Sequence, residues 1–298
     1  MPKKWIPLAA LASLLCLAAL LFPAACTWII TAARPAPAEV SETLFQGITY
    51  RRLVRSSPRP MVIHVVQVDL RQPDIAFLVT PGDPDEELPL RGRTTSQFVE
   101  EFGLQVAING DGVTPWRANG PLDYYPRSGD PVDPIGFSAS QGVVYSQHRD
   151  NEPTIYISRT NRVTVNNPPG KVYNAISGNM LLISKGNIVE GLPDDDPQPR
   201  TAVAVDRRSR ELILAVIDGR QPGYSEGATL QETAALLLEL NGYHGINLDG
   251  GGSSTLVIDD GRGRARVLNS PINFNIPGSE RVVGNHLGIY AAPANNKK

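Results

Sequence analysis

The sequence predicts an α+β fold: a strand-rich mixed sheet system with two or three packed helices, in a single large domain. Three observations predict it. Short apolar or alternating runs bounded by turn residues recur along the chain, as at His64–Leu70, Ile75–Thr80, Leu104–Ile108, Ala202–Val205 and Leu212–Val216. The 298 residues include 27 Gly and 26 Pro, a density of chain breakers that suits many turns and short strands better than a helical bundle. Helix start and stop signals are explicit after Thr94 or Thr95 and again after Thr229.

Taken in order, the chain opens with Lys3 and Lys4 and then carries no charge from Trp5 to Ala33. That run is long enough to span a bilayer, with Trp5 and Trp28 placed as interfacial anchors. It reads as an uncleaved signal anchor over residues 1–33, with the body outside the cytoplasm. A cleaved signal peptide, processed near Pro23-Ala24-Ala25-Cys26 and giving a secreted body, is the rival reading. Both cysteines, Cys16 and Cys26, fall in this segment, so the body has no thiol for catalysis, thiolate metal binding or disulfides. The proline- and alanine-rich stretch that follows predicts a linker over 34–47, leading into a domain over 48–294 and a polar tail at 295–298. A net charge of −2 gives no footprint for nucleic acid.

Within the domain, His64 is a lone histidine on a strand and reads as structural. A short helix runs through Phe102 to a stop at Gly103, and the strand Leu104–Ile108 runs straight into Asn109-Gly110-Asp111. A polar cluster after a buried strand is where sheet-edge sites form. The Asn109 amide can offer a donor and an acceptor to sugar hydroxyls, and Asp111 can orient a sugar, bind a cation or cap a turn. Residues 114–153 read as loop, with Trp116, Tyr124 and Tyr125 suited either to stacking on sugar rings or to local packing. The acidic run Asp194-Asp195-Asp196 reads as a solvated loop in preference to a calcium site. Arg200 opens the next strand, either as a planar phosphate clamp or as an ion-pair partner of that acidic run.

The stretch Val216–Ile258 organises the rest. Apolar strands end in Asp218 and in Asp249, and between them Thr229 and Glu232 form a capping box at the start of a helix that Gly242 can stop in a left-handed conformation. Parallel pairing of the two strands would bring both aspartates to one sheet edge. Gly250, Gly251 and Gly252 let the backbone turn sharply and approach a ligand. Their N–H groups, with the Ser253 and Ser254 hydroxyls, can form an anion-binding concavity, or the segment is a tight turn into the next strand.

DGRQPGYSEGATLQETAALLLELNGYHGINLDGGGSSTLV resembles the core of the phosphodiester glycosidase family, whose lysosomal member removes N-acetylglucosamine from a sugar phosphodiester. TTSQFVEEFGLQVAINGDGV, SGNMLLISKG, PRTAVAVD and LNSPIN…ERVVGNHLGIY resemble it in the same order, over roughly residues 60–291. Where the family has Asn-Gly-Gly followed by aromatics, this chain has Asn109-Gly110-Asp111-Gly112-Val113. The resemblance implies hydrolysis of the bond between an anomeric carbon and a phosphodiester. Asp249 is then the reacting carboxylate, as nucleophile or as base for water, with Asp218 or Glu226 as its partner. Arg200, the Gly250–Gly252 backbone, Ser253 and Ser254 are assigned to the phosphate, and Asn109, Asp111 and Arg220 to other substrate contacts. No cofactor is assigned; a divalent cation, calcium or magnesium, would find several aspartates nearby. Two rival functions are a phosphoesterase or transferase of phosphate-linked envelope polysaccharide and a non-catalytic glycan-binding module at the membrane.

Overall fold

The computed structural model describes residues 34–83, 85–120, 123–147 and 152–294. The predicted anchor at 1–33 and the tail at 295–298 lie outside the described residues. No helix among the described residues is long and apolar enough to cross a membrane.

The α+β expectation fits, with strands far outweighing the two helices among the described residues. The mixed sheet does not: every strand pair among the described residues is antiparallel. At the centre of an eight-stranded sheet, Arg200–Val205 lies between Glu211–Ile217 and His244–Asn247. Both neighbours run antiparallel to it, so they point the same way but are separated by it, and the parallel pairing expected from the sequence does not form. The register, Arg200 opposite Ile217 and Ala202 opposite Asn247, brings the start of the central strand and the ends of its neighbours to one edge.

A five-stranded sheet packs on one face of this large sheet. Its members Val106–Asn109, Leu256–Asp259 and His286–Tyr290 contribute Val106, Ile108, Leu256, Ile258, Leu287 and Ile289 to a shared core with Val203, Val205, Leu214 and Val216. Helices cover the two outer faces. Helix α1 (Thr95–Phe102) sets Phe98 and Val99 against Leu78, Ala107 and Val257, while α2 (Leu230–Glu239) sets Ala234 and Leu237 against Ala202 and Ala204. The uninterrupted burial of Arg200–Val205 follows, since a strand covered on both faces has no solvent side: valines face the sheet and alanines make room for the helix.

Both helices begin as the local sequence dictates, with capping boxes of Thr94 with Gln97 and Thr229 with Glu232. Gly103 stops α1 at φ 63. At α2 the left-handed residue is Asn241, φ 67, and not Gly242. Gly242 is needed for close approach instead, because a Cβ there would sit 2.8 Å from the Leu237 carbonyl oxygen and 2.9 Å from Ile183 Cδ1. Gly242→Ala should therefore lower stability by about 1–3 kcal/mol, read as a reduced urea midpoint at unchanged slope.

Two other expectations change. Strand Val40–Phe45 pairs with Ile48–Arg55 at the edge of the large sheet, so the predicted linker over 34–47 is largely built into the fold. The turn at Gly47, φ 75, makes that hairpin. Residues 114–153 are not one loop; they include Arg117–Gly120, Asp123–Tyr125, Pro131–Pro134, Ser138–Ser140 and Val143–Ser146, strands too short to show periodicity.

Candidate active site

Asn109, at the end of its strand, is fully buried and sits beneath the edge where the strands converge. Its Nδ2 donates to the Asp249 carbonyl oxygen at 2.7 Å, and its Oδ1 accepts from Thr201 Oγ1 at 2.8 Å and from the Thr255 N–H at 3.1 Å. These bonds occupy the amide, so Asn109 ties the two sheets together under the site and is not a sugar contact. The Asp249 N–H donates to the Gly110 carbonyl at 3.0 Å, which fixes the acid's main chain from both sides.

The glycines that follow have a different use from the predicted cradle. Gly251, φ 61, opens a single 3₁₀ turn, Gly251–Ser253. Of the predicted cradle, the Gly251 N–H donates to the Pro199 carbonyl at 2.9 Å and the Gly250 N–H to the Asp249 carboxyl, so neither is aimed at a ligand. What the missing side chains admit is cations. A Cβ on Gly252 would lie 2.4 Å from Arg281 Nη2, and one on Gly251 would lie 3.1 Å from Arg220 Nη2. Two guanidinium groups rest against bare main chain, where they can meet an anion bidentately.

Arg281 is held by Asn273 Oδ1 at 3.2 Å and Ser253 Oγ at 3.4 Å, and stands 5.5 Å from the Trp116 ring centre. With Asp111, Val113, Trp116, Asp249 and Ser253 it lines a cavity of about 220 Å³. Burial pushes the Asp249 carboxyl up, against the Ser253 hydroxyl, the charges of Arg281 and Arg220 and the Gly250 N–H, which favour its ionised form. Asp111 is only 4% exposed. Its oxygens accept from the Gly136 and Gly112 N–H groups at 2.6 and 2.8 Å, yet burial, with Asp249 adding to it, raises it to about 7. Two carboxylates with raised pKa values facing one cavity beside a fixed cation is a constellation for proton handling at a charged substrate.

The remaining assignments separate. Asp218 is 1% exposed and outside the cavity. It accepts from His64 Nε2 at 3.2 Å, Tyr224 OH at 3.1 Å, Asn269 Nδ2 at 3.0 Å and the Ser270 N–H at 2.8 Å. Burial alone would raise its pKa, but His64 and these donors outweigh it and hold it below the carboxylate range. It is a buried structural anion, and His64 is its partner. Glu226 is exposed on the loop before α2 and does not line the cavity. Arg200 opens its strand at the site's edge, but its side chain turns away to pair with Asp195 and to donate to the Ala228 carbonyl at 3.0 Å. Asp195 also accepts from the Leu230 N–H at 3.0 Å, so this member of the acidic run caps α2. Arg220 does not line the cavity either, but it lies over Gly251, donates to Gln198 Oε1 at 2.7 Å, and its charge reaches both Asp249 and Arg281. Ser253 lines the cavity, while the Ser254 hydroxyl is buried beside it without a protein partner. Among the described residues no group of three or more His, Cys, Asp and Glu side chains is disposed to hold a metal.

Sequence reasoning missed Arg281 and Asn285. Asn285 accepts from the Asp111 N–H at 2.7 Å and donates to Ser138 Oγ at 3.1 Å, which seats Asp111. Both lie in ERVVGNHLGIY, a segment already marked by its resemblance but without a local pattern that singles out either residue.

The family model for phosphodiester glycosidases matches residues 102–290, a span holding Asp111, Asp249 and Arg281. The chain belongs to the phosphodiester glycosidase family. Among solved structures, the catalytic domain of zebrafish N-acetylglucosamine-1-phosphodiester alpha-N-acetylglucosaminidase, auto-inhibited by its pro-peptide, is similar at TM-score 0.58 and 21% identity, covering 87% of this chain and 85% of that one. A hypothetical protein from Synechocystis is similar at TM-score 0.57 and 18% identity; 86% of this chain is covered, but only 64% of that one. A Burkholderia pseudomallei protein is similar at TM-score 0.56 and 16% identity, covering 80% of this chain and 75% of that one. At these identities the likeness carries the fold. No curated protein sequence matches the chain.

Proposed function

We propose that this protein hydrolyses the bond between the anomeric carbon and the phosphate of a sugar-1-phosphodiester in envelope or extracellular glycan. The observation that carries the reading is one cavity lined by Asp249, Asp111, Ser253 and Arg281. The charge-free run Trp5–Ala33 supports an extracytoplasmic body.

The chemistry divides among these residues. The leaving group is a phosphate monoester whose second pKa is about 6, so it departs without strong acid help and gains most from a fixed positive charge. Arg281, backed by Arg220, supplies that charge. The Asp249 carboxylate attacks the anomeric carbon as the bond from that carbon to the phosphate oxygen breaks, and the glycosyl ester so formed is then cleaved by water to free sugar. Water is the poor reactant and needs a base, and Asp111 takes its proton. A base with a pKa near neutrality is well matched to that task. Asp111 thereby replaces Asp218 and Glu226 as the partner carboxylate.

A base must be ionised to work. kcat/KM should therefore fall as pH drops through about 7, the value to which Asp111 is raised. Asp111→Asn should remove that limb and slow turnover by roughly 10²–10⁴-fold. A variant keeping the wild-type limb would take the base role away from Asp111. The reaction itself is tested by incubating the protein with a panel of sugar-1-phosphodiesters. Free reducing sugar is the expected product; sugar phosphate in its place would make the protein a phosphoesterase.

A further inference from the structure

Large apolar side chains exposed on the surface are few among the described residues: Trp116, Ile135, Val143, Phe274 and Ile276. Trp116 and Ile135 lie in the candidate site and Phe274 beside it, with Ile276 two positions further along the chain. Trp116, 49% exposed, and Ile135, 41% exposed, line the cavity itself, with Val113, Val282 and Val283 behind them. Phe274 follows through Tyr124: the two rings are 4.7 Å apart, and the charge of Arg281 reaches the Tyr124 hydroxyl. The Asn273–Asn275 turn that carries Phe274 packs on the glycine turn Gly251–Ser253, and Ile276 comes directly after it. Phe274 is 42% exposed at φ 53 and ψ 25, a left-handed conformation unfavourable for a bulky residue. Strain of this kind collects at functional positions. Clustered exposed apolar surface with a polar border marks a ligand or partner site.

The order of groups decides what this rim fits. Arg281 touches Ser253 on one side, next to Asp249, and faces the Trp116 ring on the other. From Asp249 outward past Ser253 the order is acid, guanidinium, Trp116, while Ile135 lies on the Asp111 side of the cavity. A sugar-1-phosphodiester has the same order: anomeric carbon, phosphate, alcohol. A sugar held with its anomeric carbon at Asp249 and its phosphate on Arg281 directs the alcohol half onto Trp116 and towards the turn that carries Phe274. We propose that this rim is a subsite for an apolar alcohol, so that the substrates are sugar phosphodiesters of a long-chain, lipid-like alcohol. The reacting bond rests on the function proposed above; the rim's affinity for an apolar phosphate ester does not.

Two measurements keep the claims apart. The first is binding of decyl phosphate, below its micellisation range, against methyl phosphate. Each buried methylene contributes about 0.8 kcal/mol, so burial of even a few should make decyl phosphate bind at least roughly tenfold tighter. A double variant, Phe274→Ser with Ile276→Ser, should bring the two affinities within about threefold of each other while leaving methyl phosphate binding unchanged. Equal affinities in the wild type, or a preference untouched by the double variant, would overturn the subsite. The second measurement compares hydrolysis of the methyl and decyl esters of one sugar-1-phosphate. A higher kcat/KM for the decyl ester supports the subsite; equal rates refute it and leave the reaction standing. Tight decyl phosphate binding with neither ester hydrolysed would refute the reaction and leave the subsite standing.

Discussion

Asp249→Asn should reduce release of free sugar from a sugar-1-phosphodiester by roughly 10³-fold or more, while the protein melts close to the wild type. The two halves of that expectation come from different atoms. Asp249 is held through its main chain, which donates to Gly110 and accepts from Asn109, and asparagine keeps both bonds. Its carboxylate is what faces the cavity beside Arg281 and Ser253, and an uncharged amide is too weak a nucleophile to form the glycosyl ester. Product assay alongside a thermal melt checks it. Undiminished turnover would move the chemistry off Asp249, and a collapsed melting temperature would make the residue structural.

Asp218→Ala should have the opposite profile, costing about 3–5 kcal/mol of stability because it breaks a buried charged network. His64, Tyr224, Asn269 and the Ser270 N–H all direct donors at this one carboxylate, and alanine would leave them without an acceptor. Denaturant unfolding should show a much lower midpoint. Because Asp218 is held below the carboxylate range in the folded state, its contribution is full above the ordinary carboxylate pKa. It is lost as pH falls through the folded value, so the gap between wild type and variant should narrow in acid. An Asp218→Ala protein that melts like the wild type yet has lost turnover would return Asp218 to the catalytic set.

These two aspartates show what the sequence can and cannot say. Each ends an apolar strand and precedes a glycine, so local pattern gives them the same reading. They part only through residues distant in sequence: His64, 154 positions before Asp218, claims one, and Arg281 stands over the other. Helix starts are legible at Thr94 and Thr229 because a capping box closes within four residues. Side-chain direction is not. Arg200 and Arg281 both lie in segments resembling the family, and only the fold shows that Asp195 draws the first away while Gly252 leaves space for the second. The triple glycine was legible as a place of close approach; that the approaching group is a guanidinium and not a ligand was not.

Asn109 stitches the two sheets under Asp249, whereas the cavity's walls come from the short strands and turns around Val113, Trp116 and Ile135. The main-chain support of Asp249 and the apolar walls are thus carried by separate parts of the chain, with Asp111 placed between them. Exchanging the wall segments for those of a relative should retune which molecules are admitted while the reacting acid stays where it is, which makes this scaffold a suitable host for engineered specificity.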